Sequence, residues 1–485
     1  MRTFSGFCVA VLFLASSTFA GSWNQWRGPN RDGVAPDSPP LTRLGVDEAL
    51  TPSWISEPIS SSFNGGWGSP VVDAGRVYVY IHSKTRKEGV ELGKAKYPWL
   101  PPDKRGHLTP AEYEQYEVNR RDEDEERAKA EIFTETLYCF DAATGKTLWK
   151  NVKSSIYTRF VQSGTPTVVD GRVLVLVPGR KARCYDAAKG ELLWETKLPG
   201  DFRDEFMMSS FAVTDGVAAV LAGRLVALDV KTGAILWEGD AKATRGEHSS
   251  PVVHRHGEAA SFVANVAGDT ASFDAKTGKE HWRVKSSASG STPIVVGDKL
   301  VTYGSSRRGG LRCYQISAAG VEEKWVYSGA ADQGSSPVVV KGYVYVQGER
   351  RLACIDLNTG DEKWTADLPL NDPRYTSLIA ADDKILYALE GLLWFAADPT
   401  GYKPIAALKM DDKGVVATEA AHRKRLNLDE LKAKPDGEKR SDNIYRDKVA
   451  SQGPVQCTSP AIADGRLFVR LKNGIACYEL VERNR

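Results

Sequence analysis

Cysteine is scarce in this chain, and no two cysteines lie close together. Seven occur in 485 residues, with no CxxC, no CxxCH and no vicinal pair. That excludes covalent c-type haem and leaves no thiolate zinc motif. Histidine is equally rare, seven in all and in no metal-ligand spacing, and HExxH, GxSxG and the P-loop are missing. An excess of one charge is missing too: 64 Lys and Arg stand against 62 Asp and Glu, a formal net charge of +2. Phosphate backbones need a basic surface, so nucleic acid is not expected as a partner. No hydrophobic run is long enough to cross a bilayer. The apolar stretch from Phe7 to Leu14 follows Arg2 and precedes a small-x-small pair, Thr18 and Ala20. Residues 1–20 therefore read as a signal peptide cleaved before Gly21. No lipid-accepting Cys follows it, so a soluble, monomeric protein of the periplasm or the cell exterior is expected.

What the chain does have is one phrase written many times. "FDAATGKTLW" (140–149) recurs as "YDAAKGELLW" (185–194), "LDVKTGAILW" (228–237), "FDAKTGKEHW" (273–282) and "IDLNTGDEKW" (355–364). Each places Trp eight residues after Asp: Asp141 and Trp149, Asp186 and Trp194, Asp229 and Trp237, Asp274 and Trp282, Asp356 and Trp364. A stretched copy, "YQISAAGVEEKW" (314–325), has Gln315 for Asp and ends at Trp325. "FAADPTGYKPI" (395–405) has lost the Trp, and "CYEL" (477–480) stops at the chain end. Cys139, Cys184, Cys313, Cys354 and Cys477 occupy one step of the phrase. Repetition holds such positions apart, so they read as buried small side chains rather than disulfide partners.

A second phrase precedes each copy, from "GSPVVDAGRVYVY" (68–80) to "TSPAIADGRLFVRL" (458–471), eight times in all. From Pro251 to Pro293 is 42 residues, and from Pro293 to Pro337 is 44. A Val-Val run, an Asp-Gly turn and a second alternating run make a hairpin signal. In the phrase itself, an Asp such as Asp141 bonds the turn backbone and a Gly such as Gly145 supplies a positive φ. Four antiparallel strands every 40 to 45 residues are the mark of a propeller blade. The fold expected is all-β, an eight-bladed β-propeller of four-stranded blades. The last blade lacks its fourth strand, and "TPSWISEPI" (51–59), with Trp54, is expected to complete it and close the ring.

These phrases resemble the PQQ-like propeller repeat, and the plan of the chain is similar to the B component of the outer-membrane protein assembly machinery. The resemblance covers about residues 51–485. It implies the propeller fold and two functional branches, a binding scaffold and a quinoprotein dehydrogenase that uses PQQ and Ca²⁺. Many of those dehydrogenases carry a vicinal disulfide, which this chain lacks.

Three segments lie outside the repeat: residues 21–50, an extended arm opening with "WNQWRGPNRDG", and insertions at about 84–134 and 409–451. The arm is expected to pack on the ring through Trp23 and Trp26. In the first insertion Thr109, Pro110 and Glu112 spell a helix start with a capping box. Both insertions should rise from the face that carries the inter-blade loops.

The residue that opens each inner strand is hydroxylic: Ser69, Thr165, Ser210, Ser250, Thr292, Ser336, Ser377 and Ser459. Such regularity points to backbone bonding between blades, with a polar ligand cup as the alternative. Irregular loop residues are better candidates for ligand or partner binding: Trp67, Arg159, Arg203, Arg245, His248, Arg374 and Tyr375. Four arginines near one mouth suit a carboxylate, a phosphate or an acidic partner. The loops show no carboxylate and amide set for Ca²⁺, only lone acids such as Glu205, Glu247, Asp332 and Asp372. Function is therefore read as an exported, non-catalytic scaffold for protein partners in the envelope, with no cofactor expected. A PQQ-dependent oxidoreductase and an acidic-glycan-binding module are the alternatives.

Overall fold

The computed structural model describes residues 21–46, 48–161, 164–200, 208–240, 248–288, 290–317, 320–368, 370, 373 and 375–482. The expected signal peptide lies outside the described residues. Eight antiparallel sheets form the blades. Blade 1 runs from the axis outward through Val71–Asp73, Arg76–Arg86, Glu131–Asp141 and Thr147–Ser154. Blade 7 is extended to six strands, with Val34–Ala35 of the arm parallel to its inner strand Ile379–Ala381 and Val416–Ala417 beyond its outer strand. In blade 8, Trp54–Ile55 lies antiparallel to Gly474–Glu479, with Trp54 opposite Cys477.

The hairpin chemistry is legible in the backbone. Asp170 and Gly171 both have positive φ (46° and 70°), as do Asp215 and Gly216 (50° and 77°) and Asp464 and Gly465 (51° and 69°). Two consecutive positive φ angles give the turn whose twist matches the flanking strands.

The repeated phrase locks neighbouring blades together. Trp149 Nε1 donates to Ala187 O at 3.2 Å, Trp194 to Val230 O at 3.0 Å, Trp237 to Ala275 O at 3.0 Å and Trp325 to Leu357 O at 3.1 Å. Trp54 does the same to Ala142 O of blade 1 at 3.1 Å. Each indole lies on the glycine of the next blade's turn: a Cβ added at Gly145 would sit 2.5 Å from the Trp54 ring. A register shift just before each Trp, as at Cys139 and Phe140 in blade 1, turns the ring toward the next blade. The Asp shapes the turn, with Asp141 Oδ1 accepting from Ala143 N, Thr144 N and Thr144 Oγ1.

The cysteines answer to the same lock. Cys139, Cys184, Cys313, Cys354 and Cys477 lie directly across the ladder from Trp149, Trp194, Trp325, Trp364 and Trp54. A small side chain opposite each indole leaves it room. All five are free and buried. Burial pushes the Cys139 and Cys184 thiols up to about 12, so they are inert hydrophobes.

The first insertion holds helix α1, Pro110–Ala128, with the capping box between Thr109 and Glu112 in place. The second folds as three short helices, α2 (Glu419–Arg425), α3 (Leu428–Lys432) and α4 (Gly437–Tyr445).

Candidate functional site

The eight inner strands surround an axial channel, and the arm fills it. Trp23 exchanges backbone bonds with Val72 of blade 1 (2.8 and 2.9 Å), and Val168 N of blade 2 donates to Asn24 O at 2.7 Å. Arg31 donates to Ser210 O and Phe211 O of blade 3, at 3.1 and 2.6 Å. Trp26 Nε1 reaches Thr292 Oγ1 of blade 5 at 3.0 Å, and Arg27 reaches Pro337 O of blade 6. Val34 and Ala35 then pair with blade 7. The arm thus does more than pack on the ring through Trp23 and Trp26: it is the hub on which the inner strands close. Arg27 and Arg31 are 0% and 2% exposed. Burial draws their guanidiniums down to about 10 and about 9, with Asp32 partly offsetting the shift at Arg27.

The hydroxyl ring serves the backbone. Thr165 Oγ1 accepts from Ser69 N, Ser250 Oγ from Ser210 N, Ser336 Oγ from Thr292 N, Ser377 Oγ from Ser336 N and Ser69 Oγ from Ser459 N, at 2.9 to 3.2 Å. Inner strands that converge on an axis are too far splayed to pair as a sheet, so side-chain oxygens take the amides.

Above the plug lies a cavity of about 320 Å³ on the axis. Trp26 is its floor, and Phe63, Trp67, Phe160, Met208 and Tyr375 supply apolar walls, with His248, Thr165, Ser250 and Cys457 between them. Phe63 and Trp67 meet edge to face, centroids 5.5 Å apart. Tyr375 Oη bonds Gln333 Oε1, and the ring covers Gly334, where an added Cβ would lie 2.7 Å from it. Beneath that wall Asp332 is buried, its Oδ1 taking Gly334 N (2.8 Å), Ser335 N (2.6 Å) and Tyr375 N (3.2 Å). Burial still leaves this carboxyl above its ordinary value.

Of the seven candidate residues, Trp67, His248 and Tyr375 line this cavity together. Arg159 instead reaches Glu117 of α1 at 3.5 Å and lies over the Phe160 ring. That contact sets the first insertion beside the mouth. Arg203, Arg245 and Arg374 lie outside the described residues. Sequence reasoning missed Trp26, Phe63, Phe160, Met208 and Cys457. Only Trp26 carried a signal, its place in a glycine- and proline-rich opening.

A Ca²⁺-dependent quinone cofactor finds no carboxylate in the described lining, and the loop acids Glu205, Glu247 and Asp372 lie outside the described residues. A calcium site takes six or more oxygens. The described lining residues include no carboxylate, and Asp332 already serves three amides. Among the described residues no three His, Cys, Asp or Glu side chains stand ready to hold a metal. No described helix is long and apolar enough to cross a membrane.

Fold and cavity define a plugged eight-bladed propeller with an aromatic axial pocket. Residues 134–365 match the family model described as outer membrane protein assembly factor BamB. That stretch, just under half of the chain, is thus similar to the PQQ-like repeats of the BamB type. It is similar in fold to the quinohemoprotein alcohol dehydrogenase of Comamonas testosteroni, with TM-score 0.55, 10% identity, and coverage of 97% of this chain and 82% of the enzyme. BamB of Moraxella catarrhalis overlays with TM-score 0.48 and 13% identity over 72% of this chain and 90% of that one. The serine/threonine-protein kinase AfsK of Streptomyces coelicolor is 30% identical over 104 residues, 21% of this chain. That match spans only 12% of the kinase's length.

Proposed function

We propose that this protein is a non-catalytic binding scaffold of the cell envelope, exported to the periplasm or beyond, that grips protein partners at the axial mouth. The observation that carries this reading is the cavity itself. Aromatic rings wall it, the arm closes it from below, and its described lining offers no carboxylate to act as a base or hold a cation. Such a pocket buries an apolar anchor from a partner, and large rigid aromatics are the side chains that make protein contacts tight. The BamB-type repeat agrees with an envelope role, and assembly of outer-membrane proteins is the finest form of that proposal. Electrostatic recognition of acidic glycans would rest on Arg203, Arg245 and Arg374, and Arg159 is already engaged by Glu117.

The test is retention of envelope proteins on the immobilised chain. Trp67→Ala and Tyr375→Ala should each cut retention of the same partner at least about fivefold, the loss of an anchor of roughly 1 kcal/mol or more. The circular dichroism spectrum should not change. Retention indifferent to both substitutions would remove the proposed face. Dye reduction that requires added PQQ and Ca²⁺ would replace the scaffold with an oxidoreductase.

A further inference from the structure

Blades 4 and 5 meet unlike most other pairs. Blade 5 carries the stretched phrase, with Gln315 where other copies have the turn Asp. No indole lock joins Trp282 to a described residue of blade 5. In its place is a groove of about 440 Å³ lined by His254, His256, Ser261, His281, Trp282 and Ile316, among others. Three of the chain's seven histidines thus share one groove.

His254 and His256 stand two apart on the strand Val252–His256, so both side chains leave the same face of the sheet. Asp298 meets them from the first hairpin of blade 5. Its Oδ1 is 3.9 Å from His254 Nε2 and 3.7 Å from His256 Nδ1. The irregular phrase itself holds Asp298 there: its carbonyl accepts from Ile316 N at 2.7 Å and from Gln315 Nε2 at 3.2 Å. His254 is 7% exposed, and its Nε2 is buried without a hydrogen-bond partner. A buried polar atom left unpaired is costly, and here it faces the Asp298 carboxylate.

We propose that His254, His256 and Asp298 form a site for one divalent transition-metal ion of the Zn²⁺ class at the seam of blades 4 and 5. Two imidazole nitrogens and a carboxylate oxygen are a ligand set that Zn²⁺ takes, with a fourth position left for water or an incoming group. Ligands about 2.1 Å from a tetrahedral ion stand about 3.4 Å from one another. Asp298 Oδ1 stands a few tenths of an ångström farther than that from each imidazole nitrogen, so the three side chains as they stand hold no metal and must close inward to do so. The side chains of His256 and Asp298 are 72% and 53% exposed, free to swing inward around the fixed His254.

The chelator-stripped full chain should be titrated with Zn²⁺ by calorimetry and with Co²⁺ by absorption. About one ion per chain is expected, with the visible bands of a low-coordinate Co²⁺ site. His256→Ala and Asp298→Asn should each weaken binding at least about tenfold. Both positions are exposed, so the urea midpoint of the metal-free chain should not move. His107→Ala, on the exposed first insertion, should leave the affinity unchanged. Fewer than about 0.2 ions per chain, or affinity indifferent to both substitutions, would overturn the site. The seam would then hold only an inter-blade ion pair, as between Lys341 and Asp383.

Discussion

Trp237 and Gly278 show how single residues set the joints of this ring. Gly278 has φ +72°, and an added Cβ would lie 2.5 Å from the Trp237 ring. Gly278→Ala therefore meets both backbone strain and a ring that cannot retreat, and should cost about 2–4 kcal/mol, read from the urea midpoint. The turn carboxylates give a pH dependence. Bonds from the Thr232 hydroxyl and backbone hold Asp229 below the ordinary carboxylate value, and Thr277 does the same for Asp274. A carboxyl depressed in the folded state adds stability above its unfolded value near 3.8, and loses it as pH falls through the folded one. The urea midpoint should thus drop from about pH 4 downward, and Asp229→Asn with Asp274→Asn should flatten that slope. The Asp and Gly of each turn were legible because their bonds are local. The pairing of each Cys with a Trp was not, because it depends on the register between two strands.

At the scale of elements, the arm and the insertion helix behave oppositely. The arm is tied to partners far along the chain, as Arg27 is to Pro337, 310 residues on, and Arg31 to Phe211, 180 residues on. Arg31→Ala would strip its bonds from the buried Ser210 and Phe211 carbonyls, of which Phe211 keeps Thr167 Oγ1, and leave a void on the axis, a loss of about 2–5 kcal/mol. Arg31→Met fills the void without a buried charge and should cost distinctly less. Urea unfolding of both variants, with hydrogen exchange of the blade 3 inner strand, checks this. Helix α1 is mostly polar and solvent-facing, so Thr109→Ala should loosen only its own first turn. Its amides should exchange faster, by about 1 kcal/mol of local stability, while global unfolding stays put. Sequence alone displayed the capping box of α1, since four consecutive residues write it. It did not display where the arm goes, because the bonds that seat "WNQWRGPNRDG" on the ring run to distant strands.

Over the whole molecule, stability is shared through the locks between blades. Trp54 belongs to a two-residue strand, yet its indole joins blade 8 to blade 1. Trp54→Ala should cost about 3–5 kcal/mol and broaden the unfolding transition. Trp282→Ala, where no indole bond reaches a described residue of blade 5, should cost clearly less. Equal losses at the two positions would show that blades 4 and 5 are joined as firmly as the rest.

The sequence by itself determined the blade count, the turn types, the Trp locks and the inert cysteines. Each of these repeats at a fixed spacing or arises within a few residues, so a period in the letters is a period in space. Only the tertiary structure decided that the arm is the hub of the ring and that Trp26, Trp67 and Tyr375 share one cavity. It alone set His254 and His256 against Asp298. Those groups come from different blades, and they meet because eight sheets curl about one axis, a geometry that no local stretch of chain encodes.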